Sequence, residues 1–271
     1  MIRIKKMVCV CSVFCTVIPQ FVPVFGAFEY QGLGWPAATA NIKVIGTHPS
    51  QFALNPALMQ EAIRPYFILS YQKPFQSLNL QAGALTILSA CRGRSTIHNL
   101  EYFGDEIYSE LKASSGTDWK IQEGFKVGVT LNYLRLHMSG FSRQQTVTLS
   151  LSLLAELTDQ FKIGSVVEHV AQWEHGLKIP QRYHVGTEYR LGMSTLLFAL
   201  EKEAALPLEP CLGVLLSSQS FWELGFGYRD LSGMLSAGWR IHTERFAFYY
   251  VCVLHPQLPV SSGFGLELIL R

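Results

Sequence analysis

The sequence predicts an all-β fold: a transmembrane antiparallel β-barrel of about 14 strands, with 12 as the alternative, preceded by a short helical segment at or in the lumen. Three observations carry this expectation: the chain is apolar overall, no block of it beyond the N-terminus is apolar throughout, and period-two alternation recurs along most of its length. Of its 271 residues, 49% are hydrophobic and 15% charged, where an ordinary soluble chain has about 25% charged. Mean hydropathy is +0.20. Yet beyond the first 27 residues no run of ~20 uncharged apolar residues occurs, which excludes a helical membrane protein. In a membrane barrel every second residue faces lipid, so hydrophobicity is spread thinly over many strands.

Taken in chain order, residues 1–27 stand apart. Arg3, Lys5 and Lys6 make a basic start, Met7 to Ile18 carries no charge, and Gly26 and Ala27 are small. This pattern reads as a secretory signal peptide over residues 1–27, with Val24 or Phe25 three positions before the cut. Pro19, Gln20 and Pro23 argue against an uncleaved anchor helix, because proline removes a backbone donor and clashes one turn back. Loss of the three basic residues would lower the formal net charge from +2 to −1. A near-neutral mature chain speaks against nucleic acid as a partner. Cys9, Cys11 and Cys15 would leave with the signal, and Cys91, Cys211 and Cys252 would stay at wide spacing. That spacing supports neither a disulfide framework nor a metal site, and the three read as small hydrophobes in strands.

Residues 28–63 form the next unit, a plug-like segment. Phe28 to Gly46 is rich in Gly and Ala, and Asn55 to Ala62 reads as a short helix. Asn55 suits the N-cap, and Pro56 suits the first helical position because its missing N–H costs nothing there. A short helix ahead of a barrel has to sit on the rim or inside the lumen.

Residues 64–271 carry the strands. From Val147 to Leu157 the odd positions read Val, Leu, Leu, Leu, Ala, Leu, opposed by a hydroxyl-rich set at Thr146, Thr148, Ser150 and Ser152. Apolar residues two apart, rather than three and four apart, specify a strand and exclude a core helix. The same alternation marks Phe125–Tyr133, Tyr183–Leu191, Trp222–Tyr228, Leu235–Ile241 and Phe264–Leu270. Weaker strands are drawn at Pro65–Tyr71, Leu78–Leu88, Arg94–Phe103, Phe161–Val170, Ser194–Lys202, Glu209–Ser217 and Phe246–Leu254. These 13 candidates imply 14 strands with one missed, or 12 with one too many, since bacterial single-chain barrels have an even count. Tyr and Trp near strand ends fit an interfacial aromatic girdle. The turns are short, as at Ser232-Gly233 and His242–Arg245. The longest connection, Gly104 to Glu123, is polar and is expected to lie outside the membrane. Alternation alone also fits a soluble β-sandwich, which would need shorter strands and longer loops.

Candidate chemistry is sparse. His137 and Ser139 share a strand face, where an imidazole could take a serine proton. However, Gly140 follows the serine where outer-membrane lipid hydrolases with this spacing have Asn. The apolar phase also slips near Tyr133–Leu134, so Arg135, His137 and Ser139 are expected on the polar face and no catalytic residue is assigned. Glu168, His169, His175 and His184 lie at irregular intervals without a metal-ligand spacing, so no metal is expected. Glu188, Arg190, Glu223, Arg229, Arg240 and Glu267 fall on polar faces. They are expected in the lumen, because a lipid-facing Arg or Lys costs ~2–4 kcal/mol at mid-depth. No phosphate loop, nucleotide fingerprint or paired-carboxylate site occurs, so no cofactor is expected.

The stretch Gly32-Leu33-Gly34 followed by Gln51-Phe52-Ala53-Leu54-Asn55-Pro56-Ala57-Leu58 resembles the N-terminal signature of PorV/PorQ-type outer-membrane proteins. Those proteins are similar in turn to FadL-type fatty-acid transporters. The C-terminal end also looks alike, through Leu224-Gly225-Phe226-Gly227-Tyr228, a glycine-rich hairpin, and His255-Pro256-Gln257-Leu258 before a closing strand. The resemblance covers about residues 28–65 and 220–271, with Asn55, Pro56 and Ala57 as its motif. It implies a non-enzymatic barrel of the bacterial outer membrane that transports hydrophobic small molecules. The N-terminal segment would occlude the lumen, and Phe52, Leu54, Leu58 and Met59 would form part of an apolar ligand pocket. The alternative it implies is an accessory barrel of a protein-secretion (type IX-like) or surface-attachment system, docking its partner through Gly104–Glu123. Either role makes outer-membrane lipid and the barrel-assembly machinery partners of the chain.

Overall fold

The computed structural model describes residue 28 and residues 33–59, 65–76, 79–91, 94–141, 143–175, 177–204, 206–218 and 221–270. The expected signal peptide falls outside the described residues. Fourteen antiparallel strands form one closed barrel. In chain order they are β1 (Tyr66–Lys73), β2 (Gln81–Cys91), β3 (Arg94–Gly104), β4 (Tyr108–Gln122), β5 (Phe125–Met138), β6 (Gln144–Glu156) and β7 (Phe161–His175). The second half comprises β8 (Arg182–Leu191), β9 (Ser194–Glu203), β10 (Glu209–Ser217), β11 (Trp222–Arg229), β12 (Met234–His242), β13 (Phe246–Leu254) and β14 (Ser261–Ile269). Each strand pairs with its sequence neighbours, and β1 closes on β14 from Tyr66↔Ile269 to Lys73↔Ser262. Closure leaves no sheet edge, which is what lets a sheet satisfy its backbone in hydrocarbon.

The missed strand is β4, which occupies the stretch expected to be an external loop. Its outward set of Leu111, Ala113, Ser115, Thr117 and Trp119 is only mildly apolar and its inward set is polar, so neither face signals a strand. Pairing on both sides, with β3 and β5, holds it in the wall. The connection before it shrinks to residues 105–107. At the end of the barrel that carries the strand termini, turns are two to four residues long; at the far end, connections run from three to seven.

The β6 alternation is realised as expected. Val147, Leu149, Leu151 and Leu153 face outward, while Thr146, Thr148, Ser150 and Ser152 are buried inward. Outward aromatics pair across strands, Tyr71 with Phe264 at 5.5 Å and Trp239 with Phe248 at 5.6 Å between ring centroids. In β7 the register jumps: Leu149 pairs with Ala171 but Leu151 with Val167, so residues 168–170 face Ser150 alone. His169 sits at φ 59 in this bulge, held by its N–H to Ser150 Oγ at 3.3 Å and its ring to Thr148 Oγ1 at 2.9 Å. An insertion of two residues preserves the in-out phase, where one would invert it.

The N-terminal segment lies inside the lumen. It forms three single-turn 3₁₀ helices at Trp35–Thr39, Pro49–Gln51 and Pro56–Leu58. The Asn55 cap is as expected, its side chain accepting from the Ala57 N–H at 3.1 Å. The helix itself is a single turn; the rest of its expected span, from residue 60 on, falls outside the described residues. The plug reaches the wall because the wall is glycine where they meet. A Cβ on Gly128 would stand 2.7 Å from Ala57 N, and one on Gly238 2.7 Å from Ala38 Cβ. Gly227 and Gly164 are tighter still, against the backbone at Ala40 N and Val44 O. These inward glycines turn the lumen into a cradle. The plug's Trp35, Ile42, Ile45, Phe52 and Met59 then pack with Ile68, Leu88, Ile97 and Tyr249 of the wall into one apolar core.

A methyl group at Gly227 or Gly164 would meet plug main chain before any side chain, so it has to displace backbone. Gly227→Ala and Gly164→Ala are each expected to destabilise the barrel by about 1–3 kcal/mol, the usual cost of overpacking. Gly83→Ala, whose Cβ would meet only Ser70 O at 3.6 Å, serves as the near-neutral control. Urea titration of the purified barrel in detergent micelles measures the three, and equal midpoints would contradict the cradle.

Candidate functional site

Between the plug and the wall at the terminal end lies an ionic seat. Glu267 of β14 is fully buried. His48 Nε2 of the plug contacts its Oε1 at 2.7 Å, and Arg240 of β12 donates through Nε at 3.0 Å and Nη2 at 2.7 Å. The Tyr66 hydroxyl also donates to Glu267, and Arg240 Nη1 reaches Glu223 at 3.1 Å. His48 Nδ1 meets Ser50 Oγ at 2.7 Å. Gln51 Nε2 donates to the Ile42 and Ile45 carbonyls at 2.9 and 2.7 Å, and Asn55 Nδ2 to the Val44 carbonyl at 2.7 Å. A charged lumen tolerates the plug's irregular backbone because side chains supply the hydrogen bonds that regular structure would.

On the far side of the plug the lumen opens into a cavity of about 1150 Å³. Ala37, Ala40 and Asn41 of the plug form part of its lining, as do the far ends of the strands. Its β8–β11 wall is charged. Arg182 Nε donates to Glu203 Oε2 at 2.7 Å, and Arg229 bonds Glu201 Oε2 at 2.6 Å, Glu209, and the Ala40 carbonyl at 3.3 Å. His184 Nε2 contacts Glu168 at 2.9 Å, with its Nδ1 3.7 Å from Glu201. The rest of the lining mixes apolar residues, Phe75, Phe103, Leu206, Leu231, Val253 and Leu258 among them, with polar ones such as Gln72, Lys202, Asp230, Ser232 and Gln257. Lys43 is buried beside Glu101; burial lowers the pKa of its ammonium, and the glutamate opposes that shift.

Three buried polar atoms on cavity-lining residues lack a hydrogen-bond partner among the described residues: Asn41 Oδ1, Gln72 Oε1 and Glu203 Oε1. Buried polar atoms are normally satisfied, so these three mark where a ligand or water can be received. Glu201, Glu209 and Cys211 bring ligand atoms within 4.8 Å of one another, as a metal site would. The Arg229 guanidinium already bridges the two carboxylates, so the local cation is part of the protein.

All six lumen charges expected from the alternation do face inward. Glu188 and Arg190 pair at 2.7 Å, and Glu223, Arg240 and Glu267 meet in the seat. Phe52, Leu54, Leu58 and Met59 are brought together, but in the packed plug core, and none lines the cavity. Asn55, Pro56 and Ala57 hold the plug's last turn against β4, β5 and β6, close to Gly116 and Gly128. Of the four irregularly spaced residues, Glu168 and His184 bond each other and His169 turns to Thr148.

The phase slip expected in β5 does not occur. Leu134 and Leu136 face inward, packing on Leu177, Ile179 and Phe28, so Arg135 and His137 lie on the outer face at the far rim and Ser139 in an exposed turn. The inward face is apolar there because the β7–β8 connection folds in over the lumen. Gln172 holds that connection, its Oε1 accepting from the Ile179 N–H at 3.1 Å. Glu201, Glu203, Glu209 and Arg182 were not singled out in the sequence, although the two-residue spacing of Glu201 and Glu203 on β9 and of Arg182 and His184 on β8 carried the signal.

The sequence matches no protein-family model and no curated protein. Solved structures do match. The CymD monoaromatic hydrocarbon channel is 12% identical, with 90% of this chain and 99% of that one covered and a TM-score of 0.67. The toluene transporter TbuX of Ralstonia pickettii is 10% identical, with coverages of 87% and 97% and a TM-score of 0.62. TodX, a toluene transporter of Pseudomonas putida, is 7% identical, with coverages of 91% and 98% and a TM-score of 0.61. At such identities the likeness is one of fold: a closed 14-strand barrel shared with channel-forming proteins.

Removing one member of the ionic seat strands buried charge. Glu267→Gln is expected to cost about 3–5 kcal/mol, as broken buried pairs do, read from the urea midpoint. Replacing Arg240 by Met in the same chain should restore part of that loss, and an unchanged midpoint in the single variant would show the seat to be solvated.

Proposed function

We propose that this chain is an outer-membrane barrel that moves hydrophobic small molecules through its lumen, receiving them in the far-end cavity. The observation that carries the reading is the group of leucines at the cavity's mouth, set among Asp230, Ser232 and Gln257. Leu206, Leu231 and Leu258 line it and are each about half exposed. Ile107 and Phe141, at the tips of neighbouring connections, are more exposed still. Exposed apolar residues gathered around a cavity suit capture of an apolar solute.

The setting supports the reading. The apolar outward face suits a lipid environment, and the shorter turns beside the strand termini suit a periplasmic end, which puts the cavity on the external side. A signal peptide and the barrel-assembly machinery would bring the chain there. The barrels it resembles in fold are described as a hydrocarbon channel and as toluene transporters. Because the plug occupies the lumen, passage requires it to shift, and the seat and cradle set how readily it does. The accessory-barrel alternative rests on the N-terminal motif, and the loop it would have used as a docking surface is β4, inside the wall.

Cells producing the barrel should take up a radiolabelled monoaromatic hydrocarbon several-fold faster than cells without it, and a disaccharide no faster. Leu231→Asp with Leu258→Asp should remove most of that gain while leaving the amount of folded barrel in the membrane unchanged. Equal gains for the two solutes, or none for either, would refute the reading.

A further inference from the structure

Phe28 is held in a way that an internal residue of a connecting segment does not need. Its backbone nitrogen donates to Glu110 Oε1 of β4 at 2.8 Å, and its carbonyl accepts from Arg182 Nη1 of β8 at 2.7 Å. Its side chain fills an apolar socket of Leu134, Leu136, Leu177 and Ile179. The socket is rigid on both polar sides: the Tyr108 hydroxyl also donates to Glu110, and Glu203 fixes Arg182. A carboxylate on the nitrogen, a guanidinium on the carbonyl oxygen and a fitted ring make a recognition site for one residue.

Two independent observations say which form of the residue it recognises. Phe28 has φ 62, in the left-handed region that a bulky side chain avoids because of the preceding carbonyl. That torsion exists only while Ala27 is attached; without the preceding carbonyl the clash is gone. The sequence, for its part, places small Gly26 and Ala27 directly before Phe28, behind an uncharged stretch with a basic start, and a small residue is what a leader peptidase takes just before its cut.

We propose that hydrolysis of the Ala27–Phe28 bond by a leader peptidase creates an α-ammonium on Phe28 that docks on Glu110 and clamps the head of the plug to the barrel wall. In the hydrolysis the Ala27 C–N bond breaks. The water's hydroxyl goes to the Ala27 carbonyl carbon and its proton to the Phe28 nitrogen; a second proton from solvent makes the ammonium. The contact already present at 2.8 Å then becomes a charge-assisted hydrogen bond between full opposite charges. Removal of the leader thus completes the plug as well as releasing the chain, and the barrel acquires its clamp only after export.

The experiment uses barrel purified from membranes. N-terminal sequencing with intact mass should give Phe28 as the first residue. In the folded barrel the α-amine should react with an amine-acylating reagent at least tenfold more slowly than after unfolding in urea. Glu110→Gln should remove that protection while surface lysines label at the same rate. Barrel refolded with one extra alanine ahead of Phe28 gives a second comparison, expected to label fast and to melt at lower temperature than barrel refolded from Phe28. A different first residue, a freely reactive amine in the folded protein, protection retained in Glu110→Gln, or an unchanged melting temperature with the extra alanine would each overturn the proposal.

Discussion

The contact on which the rest of this structure depends is the approach of the plug's backbone to inward-facing glycines. An eight-strand barrel fills its own interior with side chains, whereas a 14-strand barrel encloses more space than its inward residues can occupy. Something has to fill that space or water will. Here residues 33–59 fill it, and they can do so because Gly128, Gly164, Gly227 and Gly238 leave room for main chain against main chain. Side chains at those positions would push the plug inward and separate Phe52, Ile42 and Met59 from the wall residues they pack on. The apolar core of this protein is therefore shared between two parts of the chain, unlike the core of a soluble barrel, which belongs to the sheet.

The second requirement is electrical. A plug of irregular segments carries backbone groups with no ladder to join, inside a wall that presents charged side chains. The two needs meet in the same residues. Gln51 and Asn55 hold the plug's carbonyls, while Glu267, Arg240 and His48 satisfy one another across the gap between plug and barrel. Because each charge is bonded to a partner on a different element, the network fixes relative position more than it adds net stability. At the far end Arg229 does the same between β9, β10 and the plug carbonyl at Ala40. The cavity lies beyond these ties, its volume set by where the plug stops.

Function follows from that stopping point. Below it the lumen is packed; above it a space with a charged wall, a mouth of leucines among polar residues, and unsatisfied acceptors is left. On the proposed function, passage would be a matter of plug displacement rather than of pore diameter, and the ties at Glu267 and Arg229 would be the elements that control it.

Much of this was legible in the sequence. Strands such as β6 and β12 show their two faces as Val147, Leu149 and Leu151 against Thr148 and Ser150, or as Trp239 and Ile241 against Arg240 and His242. The inward place of Glu223, Arg240 and Glu267 follows from the same parity. β4 was illegible because Ala113, Ser115 and Thr117 carry too little apolar surface to mark a lipid face, and β5 seemed to change phase because its inward neighbours at Leu134 are apolar side chains from a distant connection. Alternation relates residues two apart on one strand and is therefore written in the sequence, so the sequence by itself determined an all-β chain, the faces of most of its strands and a capped segment ahead of them. Which glycine meets Ala40, which acid meets His48 and where the plug leaves a cavity depend on residues up to 219 positions apart brought together by closure, and only the tertiary structure decided them.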